Sequence, residues 1–236
     1  MIEVRDINKA YGVDGQSLKA VDSVSLTINN GEMVSIIGHS GSGKTTLLSL
    51  IGGLTKPDAG DVVIDNVNIW SMSDDDLSGF RNIKISFIYQ FSSLIPTLTA
   101  FENVMLPTAF GDFSEDVAEY AKELLRIVGL EEKMNSYPSH LSGGQQRRVA
   151  IARAFINRPE IVLADEPTGD LDEAAEKEII NLFRRMNEEN NITFVIVTHN
   201  NEVAATAARK LMMSYGKLSE ISAEALEETC PPIPSP

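Results

Sequence analysis

A single cysteine, Cys230, stands among 236 residues. An internal disulfide is therefore excluded, and a reducing compartment is expected. Basic residues are also scarce: 20 Lys and Arg face 34 Asp and Glu, for a net charge of −14. Nothing supplies the basic stripe that a phosphate backbone requires, so no nucleic-acid partner is expected. Apolar runs stop well short of the roughly 18 residues that span a bilayer. The opening Ile2 to Ile7 has no signal-peptide pattern. The expectation is a cytoplasmic chain without direct membrane insertion, whose membrane contact goes through a partner. Cys230 is not fourth from the end, so it forms no prenylation box. There is no internal repeat, and no sustained heptad pattern between Gly43 and Asp165. What remains is ordinary: 43% hydrophobic and 23% charged residues can bury a real core. The length suits one large domain, or a core with an inserted sub-domain.

The strongest signal is Gly38-His39-Ser40-Gly41-Ser42-Gly43-Lys44-Thr45, a match to G-x-x-x-x-G-K-[ST]. The apolar Met33 to Ile37 before it reads as a buried strand, and Thr46 to Ile51 after it as a helix. That is the context the pattern needs. Glycines let the backbone wrap close to a polyphosphate, and the freed N–H groups and the helix start then face the anion. Lys44 would reach the β- and γ-phosphates, and Thr45 would offer its hydroxyl to Mg²⁺.

Periodicity places the other elements. Residues 2–7 alternate as a strand. Val24, Leu26 and Ile28 alternate with Ser25 and Thr27 as a second, with Tyr11 in a Gly-containing loop between them. Asn29-Asn30-Gly31 reads as a hairpin turn. Val62 to Ile64 and Ile85 to Tyr89 are short strands, the latter ending on Gln90. Ser73 caps a short acidic helix from Asp74. Residues 91 to about 158 show no convincing strand. Thr99 with Glu102 makes a capping box. Ser114 precedes a helix with Val117, Tyr120, Ala121, Leu124, Leu125 and Val128 on one face, and another helix runs from Gly143 to about Ile156. Ile161 to Ala164 and Thr193 to Val197 are continuous apolar runs, as central parallel strands require. Ala175, Ile179, Leu182, Phe183 and Met186 mark the buried face of a helix between them. Leu211 to Met213 reads as an edge strand, and the proline-rich end from Cys230 as disordered. The fold class is thus α/β, a parallel core interrupted by an all-helical insert.

Most polar residues of interest follow a strand directly, where open parallel sheets bind ligands. Asp165 can hold Mg²⁺ opposite Thr45, directly or through water. Glu166 can polarise an attacking water. Gln90 can accept from water and coordinate a cation, and His199 can donate to a γ-phosphate. Each taken alone is an ordinary strand-to-loop polar residue; the phosphate loop raises their joint weight. Ser142-Gly143-Gly144-Gln145, after Leu141, is a second anion cradle: a good N-cap followed by bared N–H groups. One triphosphate is already wrapped by the first cradle. The second is expected to serve a nucleotide held by another subunit.

These segments resemble the nucleotide-binding subunits of ABC transporters over residues 2–220. GHSGSGKT is similar to the Walker A motif, IVLADE at 161–166 to Walker B with Glu166 as catalytic acid, and LSGGQ at 141–145 to the signature. Gln90 resembles the Q-loop glutamine, Gly169-Asp170-Leu171-Asp172 the D-loop, His199 the switch histidine, and Tyr11 the aromatic that stacks on adenine. The resemblance implies a P-loop core with an N-terminal antiparallel β-subdomain and a helical signature subdomain at about 91–158. It implies ATP and Mg²⁺ as ligands, with Thr46 and Asp172 joining the nucleotide contacts. Two copies are expected to pair head to tail around two ATP molecules and drive integral-membrane permease subunits from the cytoplasmic face. Ile95 to Val104 is similar to the lipoprotein-releasing and macrolide-exporter branch. His39, where most members carry Pro, is similar instead to the ATPase of bacterial cell division, which transmits force through a membrane partner. Phe91 replaces a commonly polar residue, and the insert is short around Gly111-Asp112-Phe113. ATPases acting on DNA carry long coiled coils between the Walker motifs, and translation factors carry two cassettes; this chain has neither. Intact Glu166, Gln90 and His199 speak against a regulator that does not hydrolyse.

Overall fold

The computed structural model describes residues 1–13, 16–111, 116–169 and 171–221. Two sheets organise them. A four-stranded antiparallel sheet has the order β2-β1-β4-β5, from β1 (Ile2–Val13), β2 (Gln16–Ile28), β4 (Ala59–Ile64) and β5 (Val67–Asn68). A six-stranded sheet has the order β10-β9-β3-β8-β7-β6. Its strands are β3 (Met33–Ile37), β6 (Ile85–Ile88), β7 (Ile161–Asp165), β8 (Thr193–Val197), β9 (Arg209–Ser214) and β10 (Lys217–Glu220). All neighbours there pair in parallel except β10 with β9.

The continuous apolar runs end up where their composition demands. Every residue of β3, β7 and β8 is buried, because both faces of a central parallel strand are covered. Successive side chains then serve opposite cores. On β8, Phe194 and Ile196 pack into a core with the helices α3 (Ala100–Met105), α4 (Val117–Ile127), α5 (Gly143–Phe155) and α6 (Glu173–Asn190). Val195 and Val197 pack on the other side with α1 (Lys44–Ile51) and the antiparallel sheet. Phe155, Phe183 and Phe194 meet at centroid distances of 5.2–6.4 Å, which ties α5 and α6 to β8.

The helix starts follow the capping chemistry. Ser73 Oγ accepts from Asp76 N at the head of α2 (Asp74–Lys84). Thr99 with Glu102 and Ser142 with Gln145 form capping boxes with both hydrogen bonds made. On α4, Ala121, Leu124 and Leu125 are buried, with Val128 just beyond, while Val117 and Tyr120 are only half-buried. The expected inward face of α6 is buried throughout.

Three expectations are corrected. Tyr11 is not in a loop: it pairs with Leu18 on a β1–β2 ladder that continues through Gly12 and Ser17. That end of the hairpin stands clear of the core, so neither face is buried and alternation vanishes there. Asn29 to Gly31 do not close a hairpin. Glu32 N donates to Asn29 O, and the turn carries the chain from one sheet to the other. Leu211 to Met213 do not form an edge: β9 lies between β3 and β10, and the four-residue β10 takes the rim. The readings on Asp112, Phe113, Ser114, Asp170, Cys230 and the proline-rich end lie outside the described residues.

Candidate active site

The loop between β3 and α1 needs glycine at two points above all. Gly38 has φ 154° and Gly43, the N-cap of α1, has φ 108°. A Cβ on Gly43 would stand 2.0 Å from Ala20 O, and one on Gly38 would stand 2.2 Å from Met213 O. Backbone therefore closes on the loop from β2 and from β9. The turn after β9 adds support: Gly216 N donates to Ser42 O at 3.1 Å. The loop is a rigid cradle, opening toward a cleft of about 960 Å³.

Lys44 folds back over this cradle, its Nζ donating to Gly38 O at 2.7 Å and His39 O at 3.0 Å. Burial pushes its pKa down, and the charges of Glu166 and Asp165 oppose that. The ammonium lies with the anion-facing end of a helix at its back. Ser42 Oγ is buried and makes no hydrogen bond to another described group. The Lys44 ammonium suits a phosphate that would enter here and accept from it. Across the loop, Thr45 Oγ1 donates to Asp165 Oδ2 at 2.8 Å. Burial pushes the Asp165 carboxyl up; the Thr45 bond opposes this and the neighbouring Glu166 charge adds to it. A hard cation between these two oxygens would relieve that burial cost, so the pair fits Mg²⁺.

Glu166 follows β7 at φ 47°. Its N–H donates to Val197 O at 2.8 Å and its carbonyl accepts from Gly169 N at 3.2 Å. The carboxylate is held by three groups at the end of β8. Oε2 accepts from Thr198 Oγ1 at 3.1 Å and His199 N at 3.3 Å, and Oε1 lies 2.7 Å from His199 Nδ1. With the carboxylate ionised, that ring nitrogen is the donor. The imidazole itself stays exposed.

One cleft thus gathers Tyr11, Gly38, His39, Ser40, Gly41, Gly43, Lys44, Thr45, Thr46, Gln90, Asp165, Glu166 and His199 from five separated segments. Ser42 sits behind the loop rather than on its lining. Ser142, Gly143, Gly144, Gln145 and Asp172 do not line the cleft. Ser142 and Gln145 close their own helix start, and Asp172 Oδ1 caps α6 by accepting from Ala175 N at 2.9 Å. Sequence reasoning missed Leu18, Ala20, Ile37, Asn201, Met212 and Ser214, which complete the wall. Leu18 was in principle detectable as the cross-strand partner of Tyr11. The others carry no local signal.

A phosphate loop facing a hydroxyl-bonded aspartate, with a histidine-held glutamate beside it, is the layout of a P-loop nucleotide hydrolase. Comparison with known proteins narrows this. A family model described as ABC transporter matches residues 21–169. The lipoprotein-releasing system ATP-binding protein LolD of Cytophaga hutchinsonii is 45% identical over 217 residues, which cover 92% of this chain and 97% of that protein. The macrolide export ATP-binding/permease protein MacB of Rhodopirellula baltica is 43% identical over 223 residues, 93% of this chain. The chain spans only about a third of that relative, 33% of its length. Among solved structures, the dimeric ABC transporter cassette MJ0796 of Methanocaldococcus jannaschii superposes with a TM-score of 0.89 at 42% identity. That match covers 94% of this chain and 100% of the other. A second structure of that cassette, a dimeric post-hydrolysis state bound to ADP and Pi, gives 0.88 at the same identity and coverage. The chain belongs to the ABC transporter family of ATP-binding subunits. It binds and hydrolyses ATP.

Proposed function

We propose that residues 2–220 form one ATP-binding cassette, with the helical segment at about 91–158 as its signature-bearing part, and that two copies close on two ATP molecules. In this reading Gly38 to Thr46 wrap the phosphates, Lys44 counters their charge, and Tyr11 stacks on the adenine. Mg²⁺, held by Thr45, Asp165 and Gln90, would neutralise charge on the phosphate oxygens. Glu166 accepts the proton of the attacking water, and His199 keeps its carboxylate aimed at the cleft while presenting a ring nitrogen toward the γ-phosphate. Ser142, Gly143, Gly144 and Gln145 bind the nucleotide of the second copy, with Asp172 at the shared boundary. The observation that carries this is the separation of the two phosphate cradles. The Ser142 cradle is fully built and solvent-facing, yet contributes nothing to the lining of its own chain's cleft.

Among the described residues no helix is long and apolar enough to cross a membrane. The names of the LolD and MacB relatives support delivery of the work to integral-membrane permease subunits, from the cytoplasmic face. The docking face in this reading includes Phe91, next to Gln90 and 75% exposed. The names of the LolD and MacB relatives favour lipoprotein or hydrophobic-compound export as the task. His39 keeps a second reading in play, force transmission through a membrane partner without transport.

The test is Glu166→Gln. It is expected to bind ATP like the parent, lose turnover by roughly a hundredfold or more, and elute as a dimer when Mg-ATP is present. Light scattering on a sizing column reads the mass. A variant that stays monomeric with Mg-ATP overturns the two-copy reading, and one that turns over at the parent rate removes Glu166 from the chemistry.

A further inference from the structure

The helix behind the Ser142 cradle carries a buried charge. Arg147, on α5, is only 2% exposed and is among the largest fully buried side chains. Its guanidinium leaves the helix and enters the space between two strand ends. Nε donates to Pro167 O at 2.9 Å, and Nη1 donates to Gln90 O at 2.6 Å. Nη1 also donates to Tyr89 O, and Nη2 to Glu166 O. Four carbonyls, two following β6 and two following β7, converge on one side chain from a third element. Taking a guanidinium out of water is unfavourable unless its N–H groups are met, and here they are.

The carbonyls are not arbitrary. They belong to Gln90 and Glu166, and to the residue flanking each. Glu166 holds a left-handed backbone, φ 47°, which a residue with a Cβ keeps only where its surroundings over-determine it. Val197 O and Gly169 N hold it from two sides; Arg147 holds the carbonyl from the third. The planar fork matters. A lysine ammonium gathers its donors on one atom, so it does not reproduce four contacts spread over the three nitrogens of the fork.

We propose that Arg147 is a positioning residue for hydrolysis: it locks the backbone of Glu166 and of Gln90 to α5, so that the acid, the amide and the signature helix shift as one body. A displacement of the helical segment, whether by a second copy at Ser142 or by a permease at the Gln90 face, then reaches Glu166 through a single side chain. The inference rests on the reading of Glu166 as the hydrolytic acid.

The experiment compares Arg147→Lys and Arg147→Gln with the parent chain, measuring kcat, KM for ATP, and affinity for a fluorescent ATP analogue. Misplacing a reacting group by about 1 Å can cost about a hundredfold in rate. The expected result is a kcat lowered by about tenfold to a hundredfold, with KM and nucleotide affinity kept within about twofold. Parent-like kcat in both variants overturns the inference. So does a parallel loss of kcat and nucleotide affinity, which marks a merely structural role. Glu166→Gln measured alongside separates the two levels. Parent-like turnover there sinks the reading of Glu166, and this inference with it. Lost turnover there, with parent-like Arg147 variants, sinks the inference alone. If neither Arg147 variant folds, hydrogen exchange on the unmodified chain decides. Amides near 90, 147 and 166 should slow together when Mg-ATP is added; protection at 166 without protection at 147 overturns the strut.

Discussion

Asp165 shows the fold working against a charge that the proposed Mg²⁺ site would use. Its carboxylate is buried beside Glu166, and its pKa is pushed up despite the bond from Thr45. A carboxyl with a raised native pKa holds its proton more tightly folded than unfolded. Stability is therefore unaffected below the unfolded value, declines as pH rises through the native value, and stays lowered above it. Asp165→Asn keeps an acceptor for Thr45 and removes the charge. Without nucleotide and with EDTA, it should melt higher than the parent at pH 8, and the gap should close toward pH 4. Scanning calorimetry at the two pH values reads this; equal gaps would deny the buried charge. The same variant should lose Mg-dependent turnover. Tyr11 is a milder case, 42% exposed at the mouth of the cleft. Tyr11→Ala should weaken ATP by about 1 kcal/mol of lost stacking, or roughly fivefold in Kd, with kcat kept. Titration with ATP reads it, and an unchanged Kd takes Tyr11 out of the site.

Elements are pinned to each other at the end of the sheet remote from the phosphate loop. Lys84, the last residue of α2, bridges Asp65 after β4 at 2.7 Å and Glu160 before β7 at 3.1 Å. The Lys84 hydrogen bond, with help from the terminal ammonium, holds the Asp65 carboxyl below the usual carboxylate range. A depressed carboxyl stabilises the fold above its unfolded pKa, about 4, and that stability is lost as pH falls through the native value. Lys84 and Asp65 are about a third exposed or less, and Glu160 more so; solvent screening keeps the effect small. Lys84→Met should cost about 0.5–1 kcal/mol at pH 7, a Tm lower by roughly 2–4 °C, and the deficit should shrink below about pH 4. Urea titrations at pH 7 and pH 3.5 compare the two; a deficit that grows on acidification would contradict the assignment. Local signals were enough to read most elements here. Caps at Ser73, Thr99 and Ser142 appear in the sequence because their chemistry spans three residues. The strand at Tyr11 does not, because an exposed hairpin end has no buried face to enforce alternation; only once that ladder is drawn does Leu18 emerge as its partner.

At the scale of the whole molecule, the proposed reading makes the Ser142 cradle and the phosphate loop two halves of a function that one chain does not complete. Ser142→Arg should leave monomer ATP affinity unchanged within about twofold and reduce turnover by roughly a hundredfold. An arginine there would crowd the place proposed for the other copy's nucleotide while touching none of its own cleft. Equilibrium binding alongside steady-state hydrolysis makes the comparison. A loss of ATP affinity in the monomer would place Ser142 in the wrong site. The acidity of the chain, −14, also means that two copies meet against like charge, so dimerisation should strengthen with salt up to about 0.15 M.

The sequence by itself determined what lies within a few residues of chain. It carried the strand–glycine loop–helix that cups a phosphate, the apolar runs at Ile161 and Thr193 that had to be central, and the capped start at Ser142. Periodicity and capping are local interactions, and local interactions are written in local spacing. Tertiary structure alone decided the rest. It placed β9 inside the sheet, turned Asn29 to Gly31 into a passage between two sheets, and closed Ala20 and Met213 onto the loop glycines. It also aimed Arg147 at carbonyls 19–20 and 57–58 residues away. Those outcomes depend on which distant strands pair and which faces meet, and burial of the two cores, not spacing along the chain, selects them.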